Sequence, residues 1–268
     1  MALALHFDTI ALPTGVRLHY AERGPRDGEV VLLLHGYTDS WFSFSEVLPR
    51  LPVDWRAIAP DQRGHGDSDR PDAYALSDFA ADALALLDAL GLERATIVGH
   101  SMGTFIARQI ALAAPARVRR LVLVGGGAHA GGAAFGELGE TVRALADPVP
   151  LDVIREFQAG TAHTPLPEVF LEGVIAESAK LPARVWRDTL AGFVAGAPAL
   201  AGGRIHCPTL VLWGDHDAVF GRHDQDELLG AIPGARLRVY PNTGHALHWE
   251  EPDGFVADLE AFVRATRS

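Results

Sequence analysis

A serine lies at the centre of the segment GHSMG, residues 99–103, which matches the pattern G-x-S-x-G. The apolar run ATIV comes directly before it, and a helix-like pattern begins at Met102. A strand, a sharp turn and a helix form the context in which this pattern presents a serine hydroxyl as a nucleophile. Glycines on both sides let neighbouring backbone pass close to the turn. The segment therefore predicts nucleophilic chemistry at Ser101.

A serine hydroxyl needs a base to accept its proton, and the chain offers twelve histidines. His245, in the segment NTGH, follows the last predicted strand and lies on a loop at the same sheet edge as the serine turn. We therefore predict that His245 is the base. Structural roles are expected for the other histidines near strand ends or motifs; these are His35, His100, His216 and His248.

A carboxylate must orient such a histidine. The segment WGDHD ends the penultimate predicted strand and offers Asp215 and Asp217. We favour Asp217, because Asp215 comes directly at the strand end, where a carboxylate is suited to cap the turn. Asp217 has left the strand and can reach over the sheet. The other loop considered for the acid, GGGA at residues 125–128, offers no carboxylate.

Attack by a serine on a carbonyl creates an oxyanion, which requires two preorganised donors, usually backbone N–H groups. Met102, the residue after the serine, is predicted to supply the first. The loop HGY, residues 35–37, follows the apolar run VVLLL and supplies the second. Gly36 lets the backbone turn so that the N–H of Tyr37 points inward.

The elements that must position these residues alternate between apolar strand-like runs and helical patterns. This alternation predicts an α/β fold with a mostly parallel sheet covered by helices on both faces. The predicted strands are a hairpin at 7–11 and 16–20, followed by 29–34, 56–59, 95–98, 118–124, 209–213 and 237–240. The predicted helices are 76–90, 102–113, 225–231 and 252–267.

The alternation fails between about residues 128 and 203, where we find no strand signal. Helix-like pieces occur there near 136–145, 151–159, 167–179 and 182–193. Because this stretch lies between two strands of one sheet, we predict a helical cap over residues 128–203. The cap is inserted into a core formed by residues 1–127 and 204–268.

Composition excludes several classes of protein. Hydrophobic residues make up 48% and charged residues 21%, which is far from the composition of disordered chains. The net charge of −11 would repel a phosphate backbone, so a nucleic acid is not an expected partner. The longest apolar stretch without charge, residues 121–135, contains five glycines and is shorter than the ~20 residues of a membrane helix. No membrane span is therefore expected.

The surroundings of the protein are also predicted from its sequence. Cys207 is the only cysteine, which excludes an internal disulfide and a cysteine metal cluster and agrees with a reducing compartment. The opening segment MALALHFD lacks the basic residue and the apolar run of a secretory signal. A cytoplasmic location is the expectation. The sequence leaves the oligomeric state open.

Five segments, HGYTDSW, PDQRGHGDSD, GHSMG, WGDHD and NTGHALHWEEP, together resemble the α/β-hydrolase fold family. The resemblance covers about residues 29–124 and 205–265, whereas the predicted cap resembles nothing specific. It implies the α/β-hydrolase fold and the chain order nucleophile, acid, base, which carries over to Ser101, Asp217 and His245. The PDQRGHGDSD segment resembles a mainly structural loop of that family.

With a serine nucleophile, the resemblance implies hydrolysis of a carboxylic ester or lactone through an acyl-enzyme, without cofactor or metal. Epoxide hydrolases and haloalkane dehalogenases of this fold use an aspartate where this chain has Ser101, and epoxide opening also uses cap tyrosines. All four tyrosines lie outside the predicted cap. Amide hydrolysis, C–C bond hydrolysis and perhydrolysis stay open as alternatives on the same fold. A ligand receptor with slow turnover is the alternative from another class.

The substrate is expected to be a small molecule that binds between core and cap. Apolar walls would favour an apolar acyl or alcohol group. The predicted walls are Trp41, Trp186, Phe193, Val219 with the adjacent Phe220, and Leu247.

Overall fold

Eight strands form one sheet in a computed structural model, which describes residues 4–196 and 205–266. Along the sheet the order is β1-β2-β4-β3-β5-β6-β7-β8. β1 pairs with β2, and β2 with β4, in antiparallel fashion, and all other pairs are parallel. The strands are β1 (His6–Ala11), β2 (Arg17–Arg23), β3 (Glu29–Leu34), β4 (Trp55–Pro60), β5 (Ala95–His100), β6 (Val118–Val124), β7 (Thr209–Gly214) and β8 (Arg236–Tyr240).

Helices connect the parallel strands and follow the last one. They are α1 (Leu76–Ala89), α2 (Met102–Ala113), α3 (Ala133–Ala144), α4 (Leu151–Ala159), α5 (Glu168–Ser178), α6 (Ala183–Gly196), α7 (Arg222–Ala231), α8 (Leu247–Glu250) and α9 (Pro252–Ala265). Within the described residues, no helix combines the length and the apolar character needed to cross a bilayer.

The predicted mostly parallel sheet with helices on both faces is confirmed, and the differences lie at element ends. β2 continues to Arg23, because residues 20–23 pair with β4. α7 begins at Arg222, three residues before its predicted start. The short helix α8 was not predicted. The last predicted helix ends at Ala265, and residue 267 lies outside the described residues.

Side chains of the central strands alternate between two buried clusters, one on each face of the sheet. On one face, Leu32 and Ile97 pack with residues of α1, α2 and the segment between β6 and β7. On the other face, Leu33 and Val98 pack with residues of α9, including Phe255. Burial on both faces explains why these strands are continuous apolar runs.

Four helices, α3 to α6, lie between β6 and β7 in the chain, where the cap is predicted. We call these helices and their connections the α3–α6 segment. Its aromatic side chains contact the core: Trp186 packs edge-on against Tyr37, and Phe193 against Phe105. The division into a core and a cap of residues 128–203 stays a prediction, and its boundary at 203 and 204 lies outside the described residues.

The start of α2 approaches β3 so closely that it leaves no room for a side chain at Gly103. A Cβ there would lie 2.2 Å from the carbonyl oxygen of Leu34, and one on Gly99 would lie 2.2 Å from that of Gly103. Contacts under 3 Å with backbone atoms force a shift of the backbone. The two glycines of the GHSMG segment therefore set how α2 packs on the sheet.

We predict opposite effects for alanine at two helical glycines. Gly103→Ala should destabilise the protein by about 3 kcal/mol or prevent folding, because the methyl group overpacks a rigid contact. Gly139→Ala, in α3, should be neutral or stabilise by up to ~1 kcal/mol, since nothing lies within 4 Å of the added Cβ. Urea unfolding of both variants measures this. Equal stability of the two variants would contradict the close packing.

Candidate active site

Ser101 occupies a backbone conformation that residues with a side chain rarely adopt, with φ 52° and ψ −119°. Hydrogen bonds hold it there. The N–H of Ser101 donates to the carbonyl of Val124 at 2.9 Å, and both the N–H and the Oγ1 hydroxyl of Thr104 donate to the Ser101 carbonyl. The strain is therefore maintained by β6 and α2, as expected where a side chain is presented for function.

Asp217 and His245 form a buried hydrogen-bonded pair across two neighbouring loops. The Nδ1 atom of His245 lies 3.0 Å from Oδ2 of Asp217. The Asp217 side chain is 0% exposed and that of His245 is 4% exposed. With Nδ1–H donating to the carboxylate, the other ring nitrogen, Nε2, is left as a proton acceptor.

The second carboxylate oxygen of Asp217 is bound by its own loop. Its Oδ1 accepts the N–H groups of Val219 at 2.8 Å and Phe220 at 3.0 Å. Burial raises the pKa of Asp217, but the charge and hydrogen bond of His245 and these two N–H groups outweigh it, so that the pKa lies below its ordinary value. Asp217 is therefore ionised at neutral pH.

Asp215, the alternative acid, takes a different position. It is exposed, and its Oδ1 accepts the N–H of Asn242 at 2.7 Å and contacts Nδ1 of His216 at the same distance. These bonds brace the turn that leads to His245, as expected for a carboxylate directly at a strand end.

The loop that carries His245 is fixed from several sides. Gly125, with φ +54°, leaves so little space that a Cβ on it would lie 2.5 Å from the His245 carbonyl oxygen. Glu250 accepts the N–H of Gly244 through Oε1, and the N–H groups of His163 and Thr164 through Oε2. One carboxylate thus ties the His245 loop to the connection between α4 and α5.

The two predicted oxyanion donors lie where backbone N–H groups are available. Met102 is the first residue of α2, and the first N–H groups of a helix have no partner within it. Tyr37 lies in the loop after β3, and no acceptor in the part of the chain that the structure describes takes its N–H. The Tyr37 hydroxyl donates to the carbonyl of Trp186 at 2.7 Å, which fixes this loop against α6.

A cavity of about 230 Å³ lies at this site. Ser101 and His245 line it, although no hydrogen bond joins their side chains within the described residues. Such bonds are often long in the absence of substrate. Three more predicted positions also line the cavity: Tyr37, Phe193 and Val219.

Four predicted wall residues are not among those that line the cavity, which corrects the sequence-based expectation. Trp41 packs edge-on against Phe7 of β1, at a ring distance of 4.8 Å. Trp186 is 1% exposed and lies behind Tyr37. Leu247 belongs to the buried cluster on the opposite face of the sheet. Phe220, next to Val219, likewise stays outside the lining.

Three polar residues that line the cavity were not predicted from the sequence: Asp39, Gln158 and Thr161. Asp39 belongs to the HGYTDSW segment, two residues after Tyr37. Gln158 lies one helical turn after Ile154, on the buried face of α4. A glutamine on an apolar helix face was the available signal. Several apolar lining residues were missed as well, namely Phe135, Leu138, Phe157, Leu190 and Trp249.

Four histidines besides His245 are buried around the site. Burial lowers the pKa of all four, and it lowers the pKa of His65 to about 3. They are His35, His65, His100 and His248. Each is therefore neutral at neutral pH when the protein is folded.

Because these histidines are buried and neutral, we predict that acid destabilises the folded protein. Below pH ~6.5 the unfolded chain protonates them and the folded chain does not, so each removes up to ~1.4 kcal/mol of stability per pH unit. His19, whose pKa the hydrogen bond to Asp61 raises, offsets a small part. Urea unfolding should show the free energy of unfolding falling from pH 6.5 to 4.5, above the range where carboxylates titrate.

Replacing one buried histidine tests the origin of this pH dependence. His65→Gln should flatten the slope, whereas His223→Gln should not, since the His223 side chain is 87% exposed. A free energy of unfolding that stays constant from pH 7.5 to 4.5 would contradict the burial of neutral histidines.

One cluster in the described residues has the side-chain types of a metal site: His19, Asp61 and Asp67, with ligand atoms within 4.8 Å of one another. Its polar atoms are already engaged. His19 Nδ1 lies 2.8 Å from Asp61, and Lys180 lies 2.9 Å from Asp67. Asp61 also accepts the N–H groups of Trp41 and Asp67. A hydrogen-bonded ion-pair network explains this cluster.

Comparisons with known proteins agree with the fold and the motifs. A non-heme chloroperoxidase of Streptomyces lividans is 31% identical over 96% of this chain and 99% of its own. A 2-hydroxy-6-oxononadienedioate/2-hydroxy-6-oxononatrienedioate hydrolase of Pseudomonas putida is 32% identical over 90% of this chain and 89% of its own.

A solved structure has the same fold. A hydrolase from Pseudomonas aeruginosa superimposes with a TM-score of 0.83 at 28% identity, covering 96% of this chain and 98% of its own. The family described as alpha/beta hydrolase fold matches residues 29–252, and this range contains all three predicted catalytic positions. The chain therefore belongs to the α/β-hydrolase fold family.

Proposed function

We propose that this protein is a serine hydrolase that cleaves a carboxylic ester or lactone of a small, neutral and largely apolar substrate. In this proposal Ser101 is the nucleophile, His245 the base, and Asp217 the carboxylate that orients it. The backbone N–H groups of Tyr37 and Met102 stabilise the oxyanion. The absence of a nucleic-acid or membrane partner and the cytoplasmic location stay predictions.

The buried pair of Asp217 and His245 is the observation that carries the proposal. It lies beside a cavity whose wall includes a serine in a strained turn at the start of a helix. An ionised carboxylate with a 3.0 Å bond to Nδ1 holds the tautomer in which Nε2 accepts a proton. A histidine that serves only in packing needs neither a buried carboxylate at Nδ1 nor a place beside a cavity.

Acylation begins when Oγ of Ser101 attacks the carbonyl carbon and His245 takes the hydroxyl proton at Nε2. The carbonyl oxygen becomes an oxyanion, which the N–H groups of Tyr37 and Met102 stabilise. Asp217 stabilises the imidazolium that forms. When the tetrahedral intermediate collapses, the C–O bond to the alcohol breaks, and His245 donates its proton to the leaving oxygen.

Deacylation repeats these steps with water. His245 removes a proton from the water molecule as it attacks the acyl carbon, and a second oxyanion forms at the same N–H groups. Collapse of this intermediate breaks the bond to Ser101 Oγ, which recovers its proton from His245. The products are a carboxylic acid and an alcohol, which a lactone yields as one hydroxy acid.

The wall of the cavity supports a neutral substrate. Aromatic and aliphatic side chains form most of it, and no Lys or Arg occurs among the lining residues that the structure describes. Asp39 adds a buried negative charge. An anionic substrate, such as the dioates in the name of the Pseudomonas putida relative, would enter without a counter-ion and against this carboxylate.

Two further reactions of the family receive less support. Epoxide hydrolases of mouse and Siraitia grosvenorii match about 40% of this chain, but the family resemblance implies an aspartate nucleophile for that activity, and this chain has Ser101. The chloroperoxidase relative leaves perhydrolysis open as a side reaction of the same acyl-enzyme.

A panel of p-nitrophenyl esters with acyl chains of two to eight carbons, together with a small γ- or δ-lactone, tests the proposal. We expect turnover of at least one compound class, and a loss of about 10³-fold or more in kcat for Ser101→Ala with unchanged thermal unfolding. Binding of these compounds without turnover would favour the slow receptor instead. Turnover that survives Ser101→Ala would contradict the proposal.

Two neighbouring carboxylates allow a matched test of the acid. Asp217→Asn should lower kcat by about 10³- to 10⁴-fold, because the amide can hold the wrong imidazole tautomer. Asp215→Asn should change kcat by less than about threefold, since its oxygen still accepts the Asn242 N–H and the residue is exposed. Steady-state kinetics on the best ester of the panel measures both. Similar losses in the two variants would leave Asp217 without its assigned role.

A further inference from the structure

Asp39 and Gln158 form a hydrogen-bonded pair in the largely apolar wall of the cavity. Asp39 is 3% exposed and Gln158 is 0% exposed, and both line the cavity. A Cβ placed on Gly36 would lie 3.1 Å from Oδ2 of Asp39 and 3.2 Å from Cβ of Ser101. The carboxylate is therefore close to the serine. Gln158 reaches it from α4, across the boundary between the sheet and the α3–α6 segment.

Contacts of Gln158 determine which way its amide points. Its Nε2 donates to Oδ1 of Asp39 at 3.2 Å, to Oγ1 of Thr38 at 3.2 Å and to Oγ of Ser178 at 2.7 Å. An ionised carboxylate can only accept, and the single hydroxyl hydrogen of Ser178 is taken up by the carbonyls of Thr38 and Val174, both 3.0 Å from its Oγ. An amide turned the other way would place its oxygen against acceptors. The Gln158 oxygen therefore lies on the opposite side.

This oxygen, Oε1, is buried and has no hydrogen-bond partner among the described residues. A buried acceptor without a donor is unfavourable, and a ligand that supplies the donor removes that cost. Gln225 provides a contrast, because its Oε1 is equally buried and unpartnered but the residue does not line the cavity. Gln158 lines the cavity, as does His100, whose two ring nitrogens are also buried and unpartnered among the described residues.

We propose that Gln158, held in place by Asp39, is a specificity-determining residue that accepts a hydrogen bond from a hydroxyl group close to the ester bond of the substrate. The preferred substrates are then hydroxy esters. This inference rests on the proposed function and adds the substrate class to it.

A neutral hydroxyl suits the site better than a charged group. A carboxylate would oppose both Asp39 and the amide oxygen. An ammonium group would lose its hydration in an apolar cavity, where both oxygens of the nearest carboxylate already accept hydrogen bonds, from Ser43 and Gln158. A hydroxyl needs one acceptor, and Gln158 offers one.

Pairs of esters that differ only in the hydroxyl group test the inference. One pair is p-nitrophenyl 3-hydroxybutyrate and p-nitrophenyl butyrate, which places the hydroxyl in the acyl part. The other pair is 2-hydroxyethyl butyrate and propyl butyrate, which places it in the alcohol part. We expect kcat/KM of the hydroxylated member to be at least about tenfold higher in one pair, since a site built around a polar group rejects the analogue that lacks it.

The variant Gln158→Met keeps the length of the side chain and removes the acceptor. It should bring the ratio of the two kcat/KM values close to one. Gln225→Met is the matched control and should keep the wild-type ratio. Both esters are measured on one enzyme preparation. Unfolding of part of a variant therefore lowers both rates equally and cancels in the ratio, which reports only the folded molecules.

Each outcome decides the inference. A wild-type ratio near one in both pairs, or a ratio that Gln158→Met leaves unchanged, would overturn it while ester hydrolysis and the proposed function stand. A preference for p-nitrophenyl 3-aminobutyrate over the hydroxy ester would overturn the choice of a hydroxyl. No Ser101-dependent hydrolysis of any ester would overturn the proposed function and this inference together.

Discussion

The structure depends on the close approach of α2 to the ends of β3 and β5. Gly99 and Gly103 permit it, and the resulting turn holds Ser101 at φ 52°. Ser101 lines the cavity, and Met102, the first residue of α2, follows it directly in this turn. A methyl group at either glycine would displace the backbone that carries both. The position of Ser101 and the packing of α2 on the sheet thus depend on the same two glycines.

Asp217 and His245 lie on loops, which are held in place by hydrogen bonds to their backbone groups. Asp217 uses one carboxylate oxygen to order its own loop and the other to orient His245. Glu250 binds the backbone on both sides of the boundary, at Gly244 and at the connection between α4 and α5. The α3–α6 segment and the His245 loop are therefore joined through one carboxylate. The same segment contributes Gln158 to the cavity.

Local patterns predicted the strands and the positions of Ser101, Asp217 and His245, because strand periodicity and turn chemistry act over a few residues. The walls of the cavity follow a different logic. Trp41 packs with Phe7, and Trp186 turns behind Tyr37. Such choices depend on which helix face meets a distant part of the chain. Gln158 shows the same limit, because its partner Asp39 lies 119 residues away.

Covalent trapping tests the central claim most directly. The protein is treated with diethyl p-nitrophenyl phosphate, and its intact mass and peptide map are measured. The account predicts one diethylphosphoryl group per chain, located on Ser101, absent in Ser101→Ala and formed much more slowly in His245→Ala. A modification on another residue would contradict it. Complete loss of ester hydrolysis while Ser101 stays unmodified would contradict it as well.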